Sequence, residues 1–136
     1  MQTTENYQHI EGEVIKGFQR GRLIGYRTAN IKPNVHLEEG VYYGQVLLKN
    51  TVYHAAISVG KNPTFNLQNL IVEVHLFETF AEEFYGEFIK VKMMIYLRGM
   101  KKVNGIDELK EMIANDCKKI TDEIIPSTSL LSIDQF

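Results

Sequence analysis

Residues 41–59 read VYYGQVLLKNTVYHAAISV. The two halves of this stretch, 41–48 and 52–59, are rich in valine and aromatic residues, which favour strands. The polar tripeptide Lys49-Asn50-Thr51 separates the halves. So short a connection between two strand-like runs is typical of a hairpin. The stretch therefore predicts two antiparallel strands joined by a tight turn.

Three more stretches read as strands. The sequence EFIKVKMMIYL at 87–97 alternates with a period of two, which predicts one buried and one half-exposed face. Its buried face would carry Ile89, Val91, Met93, Ile95 and Leu97, and the other face Lys90, Lys92, Met94 and Tyr96. Shorter strands are predicted at 10–16 and 71–78.

From Ile106 onward the apolar period changes to that of an amphipathic helix. The apolar stripe consists of Ile106, Leu109, Met112, Ile113, Cys117, Ile120 and Ile124. Asn104-Gly105 supplies a start and Pro126 an end. The tail that follows, 126–136, is polar with a few apolar residues, and its sequence leaves open whether it is loose or docks on the body.

Five or six short strands followed by one helix predict a fold dominated by β-structure. The expected architecture is a small antiparallel β-barrel with the C-terminal α-helix packed on it. A length of 136 residues fits one domain, 1–136, with a core at about 10–125 and tails at 1–9 and 126–136.

Charge and composition exclude several classes of function. A net charge of −2 lacks the basic footprint of a nucleic-acid-binding protein. No apolar run approaches the roughly 20 residues of a membrane span, and the N-terminus has no secretion signal. The single cysteine, Cys117, can form no internal disulfide. We therefore expect a cytoplasmic monomer that binds neither nucleic acid nor membrane.

The strand at 71–78 carries the most suggestive polar pair. Its period of two places Glu73 and His75 on one face with Ile71 and Phe77. A carboxylate and an imidazole among apolar neighbours can form a general base with a partner. The pair can equally be an edge-strand contact without a chemical role. Periodicity alone favours the second interpretation.

The segment KGFQRGRLIGYRTAN at 16–30 is rich in glycine and arginine. Its glycines, Gly17 and Gly21 among them, permit turns that aim N–H groups at an anion. Thr28 and Asn30 offer hard oxygen donors suited to Mg²⁺. The alternative is an ordinary glycine-rich connection, and the segment contains no P-loop pattern. A second turn, at Asn62-Pro63, is either a wall of a ligand site or a structural corner.

Taken in order, these stretches resemble the riboflavin kinase family from about Ile10 to about Ile124. The family pattern G-x-x-R-G-R-x-x-G-[FY]-P-T-A-N corresponds to residues 17–30. The other matching motifs are G-V-Y at 40–42, G-x-N-P-T at 60–64, E-x-H at Glu73 and His75, Y-G at 85–86, the aliphatic-Arg pair at 97–98 and an acidic residue near Asp116 in the final helix.

The resemblance implies a six-stranded antiparallel barrel with a C-terminal helix. It also implies transfer of the γ-phosphoryl group of ATP to the 5′-hydroxyl of riboflavin, giving FMN and ADP, with Mg²⁺ or another divalent cation. The resemblance also implies roles for individual residues. Glu73 would be the catalytic base, with His75 and Asn62 as supporting residues, and Thr28 and Asn30 would lie at the metal and phosphates. Gly17, Gly21 and Arg22 would bind the nucleotide, and Arg98 and Tyr85 the flavin.

Two departures from the pattern motivate an alternative. Arg27 replaces the motif proline, and residues 99–103 differ from the segment that borders the flavin in the family. The alternative is a catalytically weakened barrel that binds flavin or nucleotide without efficient turnover. A third hypothesis, a barrel that binds nucleic acid or another protein, rests on fold class alone. The length leaves no room for the adenylyltransferase domain of many bacterial relatives, so we expect no FAD synthesis.

Overall fold

The computed structural model describes residues 8–15, 27–31, 37–61, 70–77, 86–99 and 104–136. These ranges contain six strands and one α-helix, followed by short π-helical and 3₁₀ turns. The strands are β1 (Gln8–Glu13), β2 (Arg27–Ile31), β3 (Gly40–Leu48), β4 (Thr51–Lys61), β5 (Leu70–Leu76) and β6 (Phe88–Arg98), and the helix is α1 (Ile106–Lys119). No helix among these residues is long and apolar enough to cross a membrane.

The strands form one antiparallel sheet that nearly closes into a barrel. Their order is β1-β6-β3-β4-β5-β2, so β1 and β2 come last at opposite ends. The chain beyond β1 leaves β6 after Val14, whose N–H donates to the carbonyl of Glu87. The next residue, Ile15, donates to the carbonyl of Asn30 in β2 across 2.8 Å. This contact joins the two ends of the sheet and confirms the predicted barrel.

The predicted hairpin forms between β3 and β4. Lys49 and Asn50 occupy the turn with φ angles of 50° and 64°. Two consecutive residues with positive φ are characteristic of the type I′ turn, whose twist matches that of the flanking strands. Leu48 pairs with Thr51 and Gly40 with Val59, so the pairing extends over the whole of β3.

The barrel interior is apolar and receives every second residue of each strand. On β5, Val72, Val74 and Leu76 are fully buried in this interior, while Glu73 and His75 alternate with them on the outer face. The interior cluster also contains Ile10, Val14, Ile31, Leu37, Tyr42, Val46, Leu48, Ala55, Ile57, Val59, Ile89, Val91 and Met93. Polar side chains such as Glu73 and His75 therefore lie on the outer face of the barrel.

The alternation predicted for β6 holds only as far as Met93. The register against β3 shifts twice. The first shift lies between Gly44, which pairs with Met93, and Tyr43, which pairs with Ile95. The second lies between Tyr42, which pairs with Tyr96, and Val41, which pairs with Arg98. Each shift inserts one extra residue on β6, as in a β-bulge, and turns the following side chains to the other face.

As a consequence of the bulges, the predicted placement of the last residues of β6 is wrong. Ile95 and Leu97 were expected inside the barrel, yet they pack in a second cluster on its outer face together with Met94. Tyr96, in contrast, was expected on the half-exposed face and is 50% exposed, and its ring stands edge-on to that of Tyr42 with the centroids 5.3 Å apart.

Helix α1 and the turns after it cover part of the outer face. The buried members of the predicted stripe are Ile113, Cys117, Ile120 and Ile124. Ile120 and Ile124 pack on Tyr43, Ala56 and Met94 in the second cluster. α-Helical geometry ends at Lys119, a π-helical turn spans Ile120–Ile124, and Pro126 lies in the 3₁₀ turn that follows, Ile125–Ser127. Cys117 is buried, as expected for a small core residue.

The C-terminal tail docks on the barrel through the side chain of Gln45. This fully buried residue donates from Nε2 to the carbonyl of Ser129 at 3.1 Å and accepts at Oε1 from the N–H of Leu131 at 2.7 Å. Its Nε2 also donates to the hydroxyl of Tyr43, which lies 2.7 Å from Nδ1 of His54. Burial lowers the pKa of His54, so the neutral ring can accept at this nitrogen. Of the two alternatives for the tail, docking is observed.

Replacing Gln45 by leucine should destabilise the fold by about 1–3 kcal/mol, because it leaves the buried polar partners of the amide unsatisfied. The midpoint of urea denaturation measures the change. Gln8→Leu, at an exposed position on β1, is the matched control and should shift the midpoint little. Equal midpoints for the two variants would show that the amide does not hold the tail.

Candidate functional site

The two suggestive motifs meet on neighbouring strands. β2 pairs with β5 so that Asn30 lies directly opposite Glu73, and Thr28 opposite His75. On its other side β5 pairs with β4, where Ser58 lies opposite Glu73 and Ala56 opposite His75. Directly paired residues of antiparallel strands share a face. Asn30, Glu73 and Ser58 therefore form a polar row across three strands on the outer face of the barrel.

Glu73 and His75 are a buried pair within this surface. Nε2 of His75 lies 3.2 Å from Oε1 of Glu73, and the two residues are 3% and 8% exposed. β5 is an interior strand, since it lies between β4 and β2. The edge position expected in the second interpretation is therefore wrong, whereas the contact of the two side chains with each other is observed. A carboxylate with one oxygen fixed by an imidazole and restricted contact with water is suited to act as a base.

Two polar atoms beside the carboxylate have no hydrogen-bond partner among the described residues. They are Nδ2 of Asn30 and Nδ1 of His75. Asn30 is 1% exposed, so water reaches its amide poorly. A buried polar group without a partner costs about 1–3 kcal/mol, and such groups are found where a ligand, ion or ordered water completes the site. The row is thus chemically incomplete next to Glu73.

The donor set around the row fits a hard cation better than a soft one. In the described ranges no three His, Cys, Asp or Glu side chains converge as a metal cluster. The groups at the row are an amide, a carboxylate and a hydroxyl, carried by Asn30, Glu73 and Ser58. Mg²⁺ is commonly held by one or two protein oxygens and completed by substrate phosphates and water. These residues fit that mode of binding.

Several predicted site residues lie outside the described part of the chain. They are Gly17, Gly21, Arg22, Asn62 and Tyr85. Thr28 is described through its backbone, which places it within β2 opposite His75. The predicted roles of these residues stay predictions.

Arg98, predicted at the flavin, makes an ion pair with the helix. Its Nε and Nη2 donate to the two carboxylate oxygens of Asp116 at 2.8 and 2.6 Å. Nη1 donates to the carbonyl of Gly99 at 3.0 Å. Two parallel bonds between guanidinium and carboxylate fix geometry as well as charge. The pair ties α1 to the end of β6, and both side chains are more than three-quarters buried.

We expect the Arg98–Asp116 pair to contribute about 1–2 kcal/mol of coupling energy to folding, since it is bidentate and partly buried. A double-mutant cycle with Arg98→Lys and Asp116→Asn, followed by urea denaturation, measures it. If the pair serves to hold the helix, both single variants should lower the urea midpoint by similar amounts. A coupling energy near zero would contradict that role.

Ser58 is the residue of the row that the motifs did not single out. It lies within an apolar run and belongs to no charged pattern. The alternation of β4 contains the missing signal, because Ile57 and Val59 are buried inside the barrel and Ser58 must face outward. Its position opposite Glu73 depends on the pairing register, which sequence alone does not fix.

Comparison with known proteins agrees with this geometry. The family model for flavokinase (riboflavin kinase) matches residues 4–124. A riboflavin kinase from Mus musculus is 31% identical over 134 residues, which cover 92% of this chain and 86% of the relative. A trifunctional protein RibF/MnmA from Mycoplasmoides gallisepticum is 41% identical over 113 residues, covering 81% of this chain. The chain spans 17% of the length of that protein.

A solved structure shows the same fold. The riboflavin kinase from Trypanosoma brucei superposes with a TM-score of 0.54 at 22% identity, covering 84% of this chain and 77% of that one. The fold is that of a small, nearly closed antiparallel barrel with one C-terminal helix. The chain belongs to the riboflavin kinase family. Its similarity to proteins named riboflavin kinase does not favour the catalytically weakened alternative.

Proposed function

We propose that this chain transfers the γ-phosphoryl group of ATP to the 5′-hydroxyl of riboflavin, giving FMN and ADP. The observation that carries the proposal is the pairing of Asn30 with Glu73. It brings the T-A-N segment and the E-x-H segment together on one face of the barrel. Phosphoryl transfer needs little covalent chemistry from the protein, so a base and a phosphate site held in fixed geometry are the main requirements.

Glu73 acts as the base in this proposal. The 5′-hydroxyl oxygen of riboflavin attacks the γ-phosphorus as the bond to ADP breaks, and Glu73 accepts the hydroxyl proton. His75, 3.2 Å from Oε1, holds the carboxylate in a fixed position beside the substrate. This supports His75 as a positioning residue rather than a group that touches the substrate. Burial of the pair keeps competing water away from the carboxylate.

Asn30 and Thr28 are the proposed protein ligands of a divalent cation, with Mg²⁺ as the first candidate. When bound, the cation would neutralise charge on the phosphates. The cation would be held through side-chain oxygen atoms, whereas the unpartnered Nδ2 of Asn30 is a hydrogen-bond donor that suits an acceptor such as a phosphate oxygen. Gly17, Gly21 and Arg22 complete the proposed nucleotide site, and Tyr85 and Arg98 the flavin site, on the strength of the family resemblance. A cytoplasmic setting, also proposed, is supported by the single cysteine of the sequence.

Arg27→Pro should change kcat by less than about threefold, the range of most substitutions away from special features. Arg27 is the first residue of β2, a position at which proline is tolerated in strands. FMN formation by the two proteins under saturating substrates measures the change. A large increase in kcat on restoring the motif proline would support the alternative of a catalytically weakened enzyme.

The test of the proposal is an assay with a panel of cations. The metal-free chain is incubated with ATP, riboflavin and Mg²⁺, Mn²⁺, Zn²⁺ or Ca²⁺, and the flavins are separated by chromatography. We expect FMN with at least one hard cation and none after addition of a chelator. FMN formation unaffected by the chelator would contradict the cation site, and no FMN with any cation would contradict the function.

A further inference from the structure

The neighbours of Glu73 on the outer face differ in exposure. Along β5 toward the end of the strand lies His75, and across on β2 lies Asn30, both buried. In the two remaining directions lie Ser58 on β4 and Ile71 on β5, which are half-buried. Among the described residues, the more exposed approach to Glu73 therefore lies on the side of Ser58 and Ile71.

Further residues define this approach more narrowly. Gly60 pairs with Ile71 and is half-buried, and it contributes no side chain to the path. Beyond Ser58 the row continues to Val41, which is 3% exposed. Ser58 is thus more exposed than its neighbours Glu73 and Val41, and it carries a hydroxyl directly opposite the proposed base.

This position matches the chemistry of a polyol. In riboflavin the reacting 5′-hydroxyl is followed by a second hydroxyl on the adjacent carbon, about one hydrogen-bond length away. Residues directly paired across antiparallel strands have Cβ atoms roughly 5 Å apart. A serine hydroxyl can both donate and accept. With the 5′-hydroxyl on Glu73, the neighbouring hydroxyl falls within reach of Ser58.

We propose that Ser58 binds the 4′-hydroxyl of the ribityl chain and thereby aligns the 5′-hydroxyl on Glu73. This inference rests on the proposed function and assigns one contact within it. Ser58 becomes a substrate-contacting residue that favours acceptors with two neighbouring hydroxyls over simple primary alcohols. Sites built to hydrogen-bond a hydroxyl discriminate against analogues that lack it, because a polar group of the site is then left unpaired.

A substrate–protein double cycle tests the contact. Binding of riboflavin and of 4′-deoxyriboflavin is measured by flavin fluorescence for the wild-type chain, Ser58→Ala, Ser58→Thr and the control Ser129→Ala. The wild-type chain should bind the deoxy analogue about five- to tenfold more weakly than riboflavin, the usual value of one hydrogen bond. Ser58→Ala should bind both flavins equally and weakly. Ser58→Thr, which keeps the hydroxyl, and Ser129→Ala should retain the wild-type preference.

Two results would overturn the Ser58 contact. One is equal binding of the two flavins by the wild-type chain, and the other is a loss in Ser58→Ala that is the same for both flavins. Failure of the proposed function has a different signature. A wild-type chain that binds riboflavin but forms no FMN contradicts the kinase assignment, whereas the binding cycle still decides whether Ser58 contacts the ribityl chain.

Discussion

Replacing Glu73 by glutamine is expected to lower kcat for FMN formation by at least about a hundredfold, the usual contribution of a positioned general base. Affinity for ATP should change by less than about threefold, since the proton is accepted only as the transition state forms. Glutamine keeps the size of the side chain and can still contact His75, so the fold should persist. Steady-state kinetics together with nucleotide binding by calorimetry separate the two effects.

The chain contains a matched control for this substitution. His9 and Glu11 form a second His–Glu pair at the same sequence spacing and the same distance, 3.2 Å, on β1. Their side chains are 35% and 43% exposed, against 4% and 11% for His75 and Glu73. Glu11→Gln should leave kcat unchanged. If Glu73→Gln were as mild as Glu11→Gln, or weakened ATP binding as much as it lowered kcat, Glu73 would be structural.

Replacing Gly44 by alanine is expected to destabilise the barrel by about 3 kcal/mol or more, among the larger effects of single substitutions. Gly44 lies at the first bulge between β3 and β6. A Cβ atom there would overlap the carbonyl oxygen of Lys92 and Cδ1 of Ile57. One of these obstacles is backbone of the neighbouring strand and the other is a fully buried core side chain, so neither can move aside cheaply.

Thermal and urea denaturation measure the effect of Gly44→Ala, and a fall in Tm of roughly 10 °C corresponds to the expected loss. Gly99→Ala is the control, because among the described residues a Cβ atom there meets only the hydroxyl of Tyr96 at 3.4 Å, an ordinary contact. Its stability should stay within about 0.5 kcal/mol of wild type. Similar losses at both positions would mean that the close approach of β3 to β6 is not what requires glycine.

Local sequence patterns are sufficient to predict the elements that have a strong hydrophobic periodicity. The hairpin of β3 and β4 has β-branched and aromatic residues around a two-residue turn, and its prediction is confirmed. The helical stripe through Ile113, Cys117 and Ile120 is confirmed as well. In both cases each residue contributes to the same local preference, so tertiary contacts reinforce it instead of overriding it.

Other elements depend on tertiary contacts that leave little trace in the sequence. β2 was not among the predicted strands, because Arg27–Ile31 is short and contains too many polar residues to show a clear alternation of apolar and polar side chains. It becomes a strand by pairing with β5. The first bulge of β6 lies where Gly44 packs closely on Lys92, and the tail docks through Gln45. Each of these joins residues distant in sequence.

The residues of the candidate site also fall into those that the sequence predicts and those that depend on tertiary contacts. Glu73 and His75 were visible as a pair because both lie on one strand, two residues apart. Their proximity to Asn30 follows from the register of β2 against β5, and before the structure it rested on family resemblance. Ser58 was missed because its polarity matters only once β4 is placed beside β5. Functional residues that lie on one strand can be predicted from the sequence, whereas a site contributed by several strands can be predicted only when the pairing register is known.

The central claim is that this chain phosphorylates riboflavin, and transfer of labelled phosphate tests it most directly. The purified chain is incubated with ATP labelled at the γ-phosphorus, Mg²⁺ and riboflavin, and the products are separated and counted. We predict that the label moves from ATP to FMN, with one unlabelled ADP formed for each FMN, and that labelled FMN is lost when Glu73→Gln replaces the wild-type chain. Labelled FMN no higher than in a protein-free control, from a chain shown to be folded, would contradict the claim.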